Sequence, residues 1–221
     1  GAPIGGSSGY IFAALRFNNF VANTAGVFGP LSDLQLIGNN FSSNGGFGTY
    51  GSQGGIVVGP NQAAVGAAGA SRFLSNRFEF NSEGIVVKEG YLISMVDNQF
   101  DTNGFCGIAL NNKWGQINVT GGWFRANGNA NASGTGTSGN TSPGKDAHIC
   151  ITGSGTGNST LSFNNVNFLN GYGRGYTAPI GTSNANTPAY VLDMTASGVD
   201  NDNITFTGGS AFGSPVGSAA Y

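Results

Sequence analysis

A phenylalanine returns along this chain at a nearly fixed step. Phe20, Phe41, Phe78, Phe100, Phe124, Phe168 and Phe212 are separated by 21, 37, 22, 24, 44 and 44 residues. A unit of about 22 residues accounts for all but the 37, the 44s being twice 22 and the 37 one unit with an insertion. The surroundings keep the same step. Asn18, Asn39, Asn76 and Asn98 stand two residues before the anchor, and Asn23, Asn44, Asn81, Asn103 and Asn127 three after it. Five residues before it the column reads Leu15, Leu36, Phe73, Met95, Val119 and Phe163, apolar throughout. A repeat this short cannot bury its own apolar face, so successive units must stack on one another.

Each unit carries further short runs with period-2 alternation, bounded by Gly, Asn or Ser, which is the pattern of short strands. One set follows the anchor: Gly55 to Val58, Gly84 to Val87, Gly107 to Leu110, His148 to Ile151 and Ala189 to Leu192. Another precedes the next anchor: Leu92 to Met95, Gln116 to Val119, Leu161 to Phe163 and Ile204 to Phe206. No window sustains a 3.6-residue period, so helices are not expected. Three strands in about 22 residues, repeated six or seven times, describe the coils of an all-β parallel solenoid. Equivalent residues of successive coils then lie about 4.8 Å apart. An inward Phe column fills the core, and Asn at the corners forms amide ladders and tolerates left-handed backbone. The fold class predicted is a single-stranded right-handed parallel β-helix of about seven coils, one domain over 1–221.

Composition agrees with that logic. Gly is 40 of 221 residues and charged residues only 8%, while 39% are hydrophobic. Corners consume Gly and Asn, and ladders of like charge are unfavourable. Eight Lys+Arg against ten Asp+Glu leave a net charge of −2, which is no counterion-releasing surface, so nucleic acid is not an expected partner. No apolar run reaches the roughly 18 residues of a membrane span, and no signal-peptide segment opens the chain, so membrane insertion is not expected. The start at Gly1 suggests a piece of a longer parent. Cys106 and Cys150 are too few for a disulfide framework, and with one His and no Cys-x-x-Cys a zinc site is unsupported; both read as small packing residues. No metal and no cofactor is called for.

The pattern Asn-x-Phe-x-x-Asn followed by Gly-Ile-Val-Val resembles the repeat of right-handed parallel β-helix proteins, the pectate-lyase-like superfamily. The low charge and the Gly, Asn, Ser and Thr richness look most like the subset found in bacteriophage tailspikes and tail fibres. The resemblance covers essentially the whole chain and implies fold more directly than function. It implies a homotrimer of parallel subunits, an extracellular or virion-surface location and a bacterial polysaccharide as partner, either bound only or bound and hydrolysed. A non-enzymatic fibre shaft and a pectate-lyase-like polysaccharide lyase are the alternatives. The lyase group's calcium-held acidic cluster has no clear counterpart here.

With the register set, the residues flanking each anchor face outward. In the middle coils these are Arg77 and Glu79, Gln99 and Asp101, Trp123 and Arg125. Aromatic faces and planar polar groups are what saccharides bind, so Arg77, Gln99, Trp123 and Arg125 are candidate substrate-binding residues. Glu79 and Asp101 share a column in neighbouring coils. Two carboxylates so placed can separate into acid and base, as glycoside hydrolysis requires; they are the candidate catalytic pair. The other reading is a surface ladder in which Arg77, Glu79, Asp101 and Arg125 neutralise one another.

Two other features bear on partners. The column Val57, Val86, Ala109, Cys150 and Val191 is apolar where solvent is expected, which implies cover by a symmetry mate, the trimer face, or by the chain's own loops. Insertions at 45–54, 128–146 and 171–188 leave at one edge, and Tyr172 and Tyr176 among them are further candidate substrate contacts beside Trp123. Residues 59–70 leave at a different corner and are placed as a shield over the apolar face. His148 reads as structural rather than as a general base.

Overall fold

The computed structural model describes residues 13–29, 33–45, 54–58, 70–90, 92–128, 147–152, 159–169, 190–194 and 203–211. The insertions at 45–54, 59–70, 128–146 and 171–188, with Tyr172 and Tyr176, lie almost wholly outside them. Every regular element among the described residues is a strand.

The strands follow one another in threes. The first coil is β1 (Ala13–Arg16), β2 (Asn19–Val21) and β3 (Ala25–Gly29); the second β4 (Leu34–Ile37), β5 (Asn40–Ser42) and β6 (Gly54–Val58). The third is β7 (Arg72–Leu74), β8 (Arg77–Glu79) and β9 (Glu83–Gly90); the fourth β10 (Ile93–Val96), β11 (Gln99–Asp101) and β12 (Cys106–Trp114). The fifth is β13 (Gln116–Thr120), β14 (Trp123–Arg125) and β15 (Ala147–Ile151); the sixth β16 (Thr160–Asn164), β17 (Asn167–Leu169) and β18 (Tyr190–Asp193). A seventh contributes β19 (Asn203–Thr207) and β20 (Ser210–Ala211).

Each strand pairs with its counterparts one coil away. The sheets run β1-β4-β7-β10-β13-β16-β19, β2-β5-β8-β11-β14-β17-β20 and β18-β15-β12-β9-β6-β3, all parallel. This is a three-sheeted parallel β-helix of about seven coils, as the repeat predicts.

The core follows the columns. Phe20, Phe41, Phe78, Phe100 and Phe124 lie flat on one another at centroid distances of 4.8, 4.9, 5.0 and 4.4 Å, with planes within 10°. Leu34, Leu36, Phe73, Met95, Ile117, Val119, Leu161 and Phe163 fill the first sheet's inner side. Each fully buried Phe contributes about 1.5–3 kcal/mol of transfer free energy, which the stack repeats at every rung.

Two Asn ladders line the corners. Asn81 is typical of the second: its Oδ1 accepts from the backbone N and Nδ2 of Asn44 at 2.9 and 3.0 Å. Its own Nδ2 donates to the carbonyl of Phe41 at 3.0 Å and to Oδ1 of Asn103 at 3.1 Å. Asn39, Asn76 and Asn98 repeat the arrangement at the other corner. Buried amides satisfied on both ends bear no desolvation penalty, and they occupy the corner backbone that no strand can pair.

The left-handed backbone falls one residue earlier than the Asn, a correction to the sequence expectation. Phe17, Gly38, Ser75, Asp97, Gly121, Asn165 and Gly208 have φ of 51–65° at the first corner, and Ala22, Ser43, Phe80, Thr102 and Ala126 have 50–57° at the second. The Asn points inward to bond. The residue before it turns the chain, and Asn165 is the only Asn to take that place among the described residues.

Three further expectations are corrected. Phe124 pairs directly with Phe168, and Phe168 with Ala211 rather than Phe212, so each interval of 44 is one enlarged coil and not two. Cys106 and Cys150 are joined in a disulfide, Cα to Cα 6.1 Å, linking β12 to β15. Ile149 pairs with Leu192 and Cys150 with Asp193, so Val191 leaves the outward column and packs against the main core. Val57, Val86, Ala109 and Cys150 do form an outward stripe on the third sheet, but they are fully buried within the single chain, with Cys106 and Ala147 beside them. The apolar stripe is thus covered, as its composition implies, and the cover lies within one chain.

Candidate functional site

The outer face of the second sheet gathers the candidate residues as the repeat places them. Along one column Asn19, Asn40, Arg77, Gln99, Trp123, Asn167 and Ser210 are register partners; along the next, Val21, Ser42, Glu79, Asp101, Arg125 and Leu169. From β2 to β17 the strands here are three residues long, with the anchor Phe inward between two outward side chains. Period-2 alternation over so short a strand leaves no other choice. The face is thus two residues wide and one strand spacing, about 4.8 Å, per rung.

Its charges are paired. Arg125 closes on Asp101 with both arms of its guanidinium: Nε donates to Oδ1 at 2.9 Å and Nη2 to Oδ2. The hydroxyl of Thr102 donates to Oδ1 at 2.8 Å. The Asp101 side chain is only 3% exposed, whereas that of Arg125 is 40% exposed. The hydrogen bond to Asp101 raises the Arg125 pKa above its ordinary value; burial opposes this, and the charges of Asp101 and Glu79 add to it. Arg77 meets Glu79 on its own strand, Nη2 to Oε2 at 2.5 Å, with the Arg half exposed. The guanidinium carbon of Arg125 stands 5.3 Å from the centroid of the partly exposed Trp123 ring.

Arg77, Glu79, Gln99, Asp101, Trp123 and Arg125 are therefore on one surface. Glu79 and Asp101 are register partners on adjacent rungs, yet each answers to its own arginine. Asp101 has both carboxylate oxygens taken up by Arg125 and Thr102, and little of it meets solvent. Thr102 is a member of the site that sequence reasoning missed. Its signal was its position, a hydroxyl one residue after an outward Asp.

His148 stands apart from this surface. It is buried between Phe124 and Phe168, and its Nδ1 lies 3.2 Å from Nδ2 of Asn127. Burial pushes its pKa down to about 3, against a smaller upward pull from a hydrogen bond to the backbone of Leu169, so it is neutral and structural at pH 7. Among the described residues no three His, Cys, Asp or Glu side chains converge on a point where a metal ion would sit. Among the described residues no helix is long and apolar enough to cross a membrane.

Compared with known proteins, the chain matches no family model, no curated protein and no solved structure.

Proposed function

We propose that this β-helix is a polysaccharide-binding module of the kind carried on phage tailspikes and fibres, displayed outside cells or on a virion, and that its second sheet holds the glycan. The observation that carries the reading is Arg125 set against Trp123 on a narrow face of planar polar groups in register. An aromatic face takes the C–H surface of a sugar ring, and Gln99 and Asn167, one rung to either side of Trp123, offer amides to its hydroxyls. The Cys106–Cys150 disulfide supports a location outside the reducing cytosol.

Binding is favoured over hydrolysis. Asp101 accepts three hydrogen bonds and is nearly inaccessible, so it enters chemistry only if the Arg125 fork opens. The tailspike likeness also makes the assembly a homotrimer.

A glycan-array screen of the purified chain, followed by titration of the best ligand, tests the reading. Trp123→Ala is expected to weaken binding about 10-fold, or 1.4 kcal/mol, without change in the unfolding midpoint. Equal binding by wild type and Trp123→Ala overturns it.

A further inference from the structure

The third sheet and the second corner share one irregularity. In the lower coils Gly26, Gly55, Gly84 and Gly107 occupy one column, and a Cβ on each would stand 2.8–2.9 Å from the Phe ring of the next coil. The pairing of Ile108 with Ile149 puts His148 in that column. Its imidazole enters the aromatic stack, 6.0 Å from Phe124 and 5.8 Å from Phe168, and the Phe124–Phe168 planes open to 25°.

The same residue ends an Asn ladder. Every lower rung offers its upward-pointing amide N–H to the Oδ1 of the Asn above, from Asn23 through Asn44, Asn81 and Asn103 to Asn127. Above Asn127 the acceptor is Nδ1 of His148. One imidazole therefore replaces both a glycine and an asparagine, at the junction of the fifth and sixth coils.

We propose that His148 is a proton-sensitive joint: its protonation turns the acceptor that ends the ladder into a donor and releases the last two coils, β16 to β20, from the five below. Among the described residues no charged group faces the imidazole. Gly107 of β12, Phe124 of β14, Phe168 and Leu169 of β17 and Val191 of β18 carry no titratable side chain, and Asn127 presents its N–H. Arg125 lies on the outer side of β14, locked to Asp101. The aligned amides add their positive ends, which repel an imidazolium.

The sign follows. The folded-state pKa of about 3 lies below the unfolded value of 6.5, so stability is complete above 6.5 and falls as pH drops towards 3. A solenoid opens locally, rung by rung.

Hydrogen exchange of the intact chain at pH 7 and pH 4.5, corrected for intrinsic rates, tests the joint. Amides of 159–169 and 203–211 are expected to lose at least tenfold in protection at pH 4.5 while those of 33–45 and 70–90 keep theirs. His148→Asn, which keeps an acceptor and removes the base, is expected to hold protection at both pH values. Equal loss in His148→Asn, or no loss in wild type, overturns the proposal. The chain has one histidine, so its imidazole C–H signal is unambiguous in wild type even if the variant does not fold. A signal that titrates near 6.5 with all coils protected overturns the joint. A signal that stays neutral until the last coils open supports it.

Discussion

Gly84 lies one coil below Phe100, and a Cβ on it would stand 2.9 Å from Cδ1 of that ring and 2.5 Å from the carbonyl oxygen of Gly107. Gly26, Gly55 and Gly107 stand in the same relation to Phe41, Phe78 and Phe124. The glycine column and the phenylalanine column are two halves of one device, since each ring packs into the space an absent side chain leaves. Gly84→Ala is accordingly expected to destabilise the fold by about 2–3 kcal/mol, as overpacking against a ring and a carbonyl. In a urea titration the midpoint should fall with the slope unchanged; an unshifted midpoint would show that the rings have slack.

The ladder makes a prediction with a pH signature. In the Asn81→Ala variant the groups of Asn44, Phe41 and Asn103 that meet this amide are left buried without partners, a loss of about 3 kcal/mol. Asn81→Asp keeps the oxygen facing Asn44 but turns a second oxygen on the carbonyl of Phe41 and Oδ1 of Asn103. Burial and facing acceptors raise the new carboxyl's pKa. The unfolded state therefore releases its proton first, and the variant is expected to gain stability relative to wild type as pH falls from 7 to 4. Parallel pH dependence of the two unfolding midpoints would contradict the ladder.

Much of this was legible because a solenoid turns sequence period into vertical contact. Phe78, Phe100 and Phe124 needed only their spacing to be placed on one another, and Arg125 could be set above Asp101 by counting. The period fails where a coil is enlarged. Between Phe124 and Phe168 the chain inserts a long excursion into a single coil, which hides the adjacency of Cys106 and Cys150 and makes 44 residues look like two turns. Short strands also leave register weakly specified. Phe212 and Val191 are apolar enough to suit the columns that Ala211 and Asp193 occupy. That the Val57 stripe is covered was legible from its apolar column, but what covers it was not, because alternation says which way a side chain points and not what lies over it.

The disulfide joins neighbouring coils across a separation of 44 residues. In the chain-entropy account a loop of that length gives about 4 kcal/mol, an upper figure in practice. Cys106→Ser with Cys150→Ser is expected to lower the unfolding free energy by about 3 kcal/mol. Denatured but unreduced wild type should show no free thiol; one thiol or more per chain would remove the bond from the account.

The two ion pairs of the candidate site differ in shelter, and that difference is measurable. Asp101 is 3% exposed and bonded on both oxygens, so Asp101→Asn leaves Arg125 short of a partner at an expected cost of about 1–3 kcal/mol. Arg77 is half exposed, and its pair with Glu79 should contribute about 0–1 kcal/mol and fade with salt. A double-mutant cycle on each pair reads the coupling directly, with the Asp101–Arg125 term expected to be the larger and to survive 0.5 M salt, about 4 Å of Debye length. The same variants separate structure from chemistry. If the paired carboxylates only organise the face around Trp123, then wild type, Asp101→Asn and Glu79→Gln all leave bound polysaccharide uncut. Release of reducing ends by wild type, abolished in both variants, would instead mean that the Arg125 fork opens on substrate and that the face is catalytic.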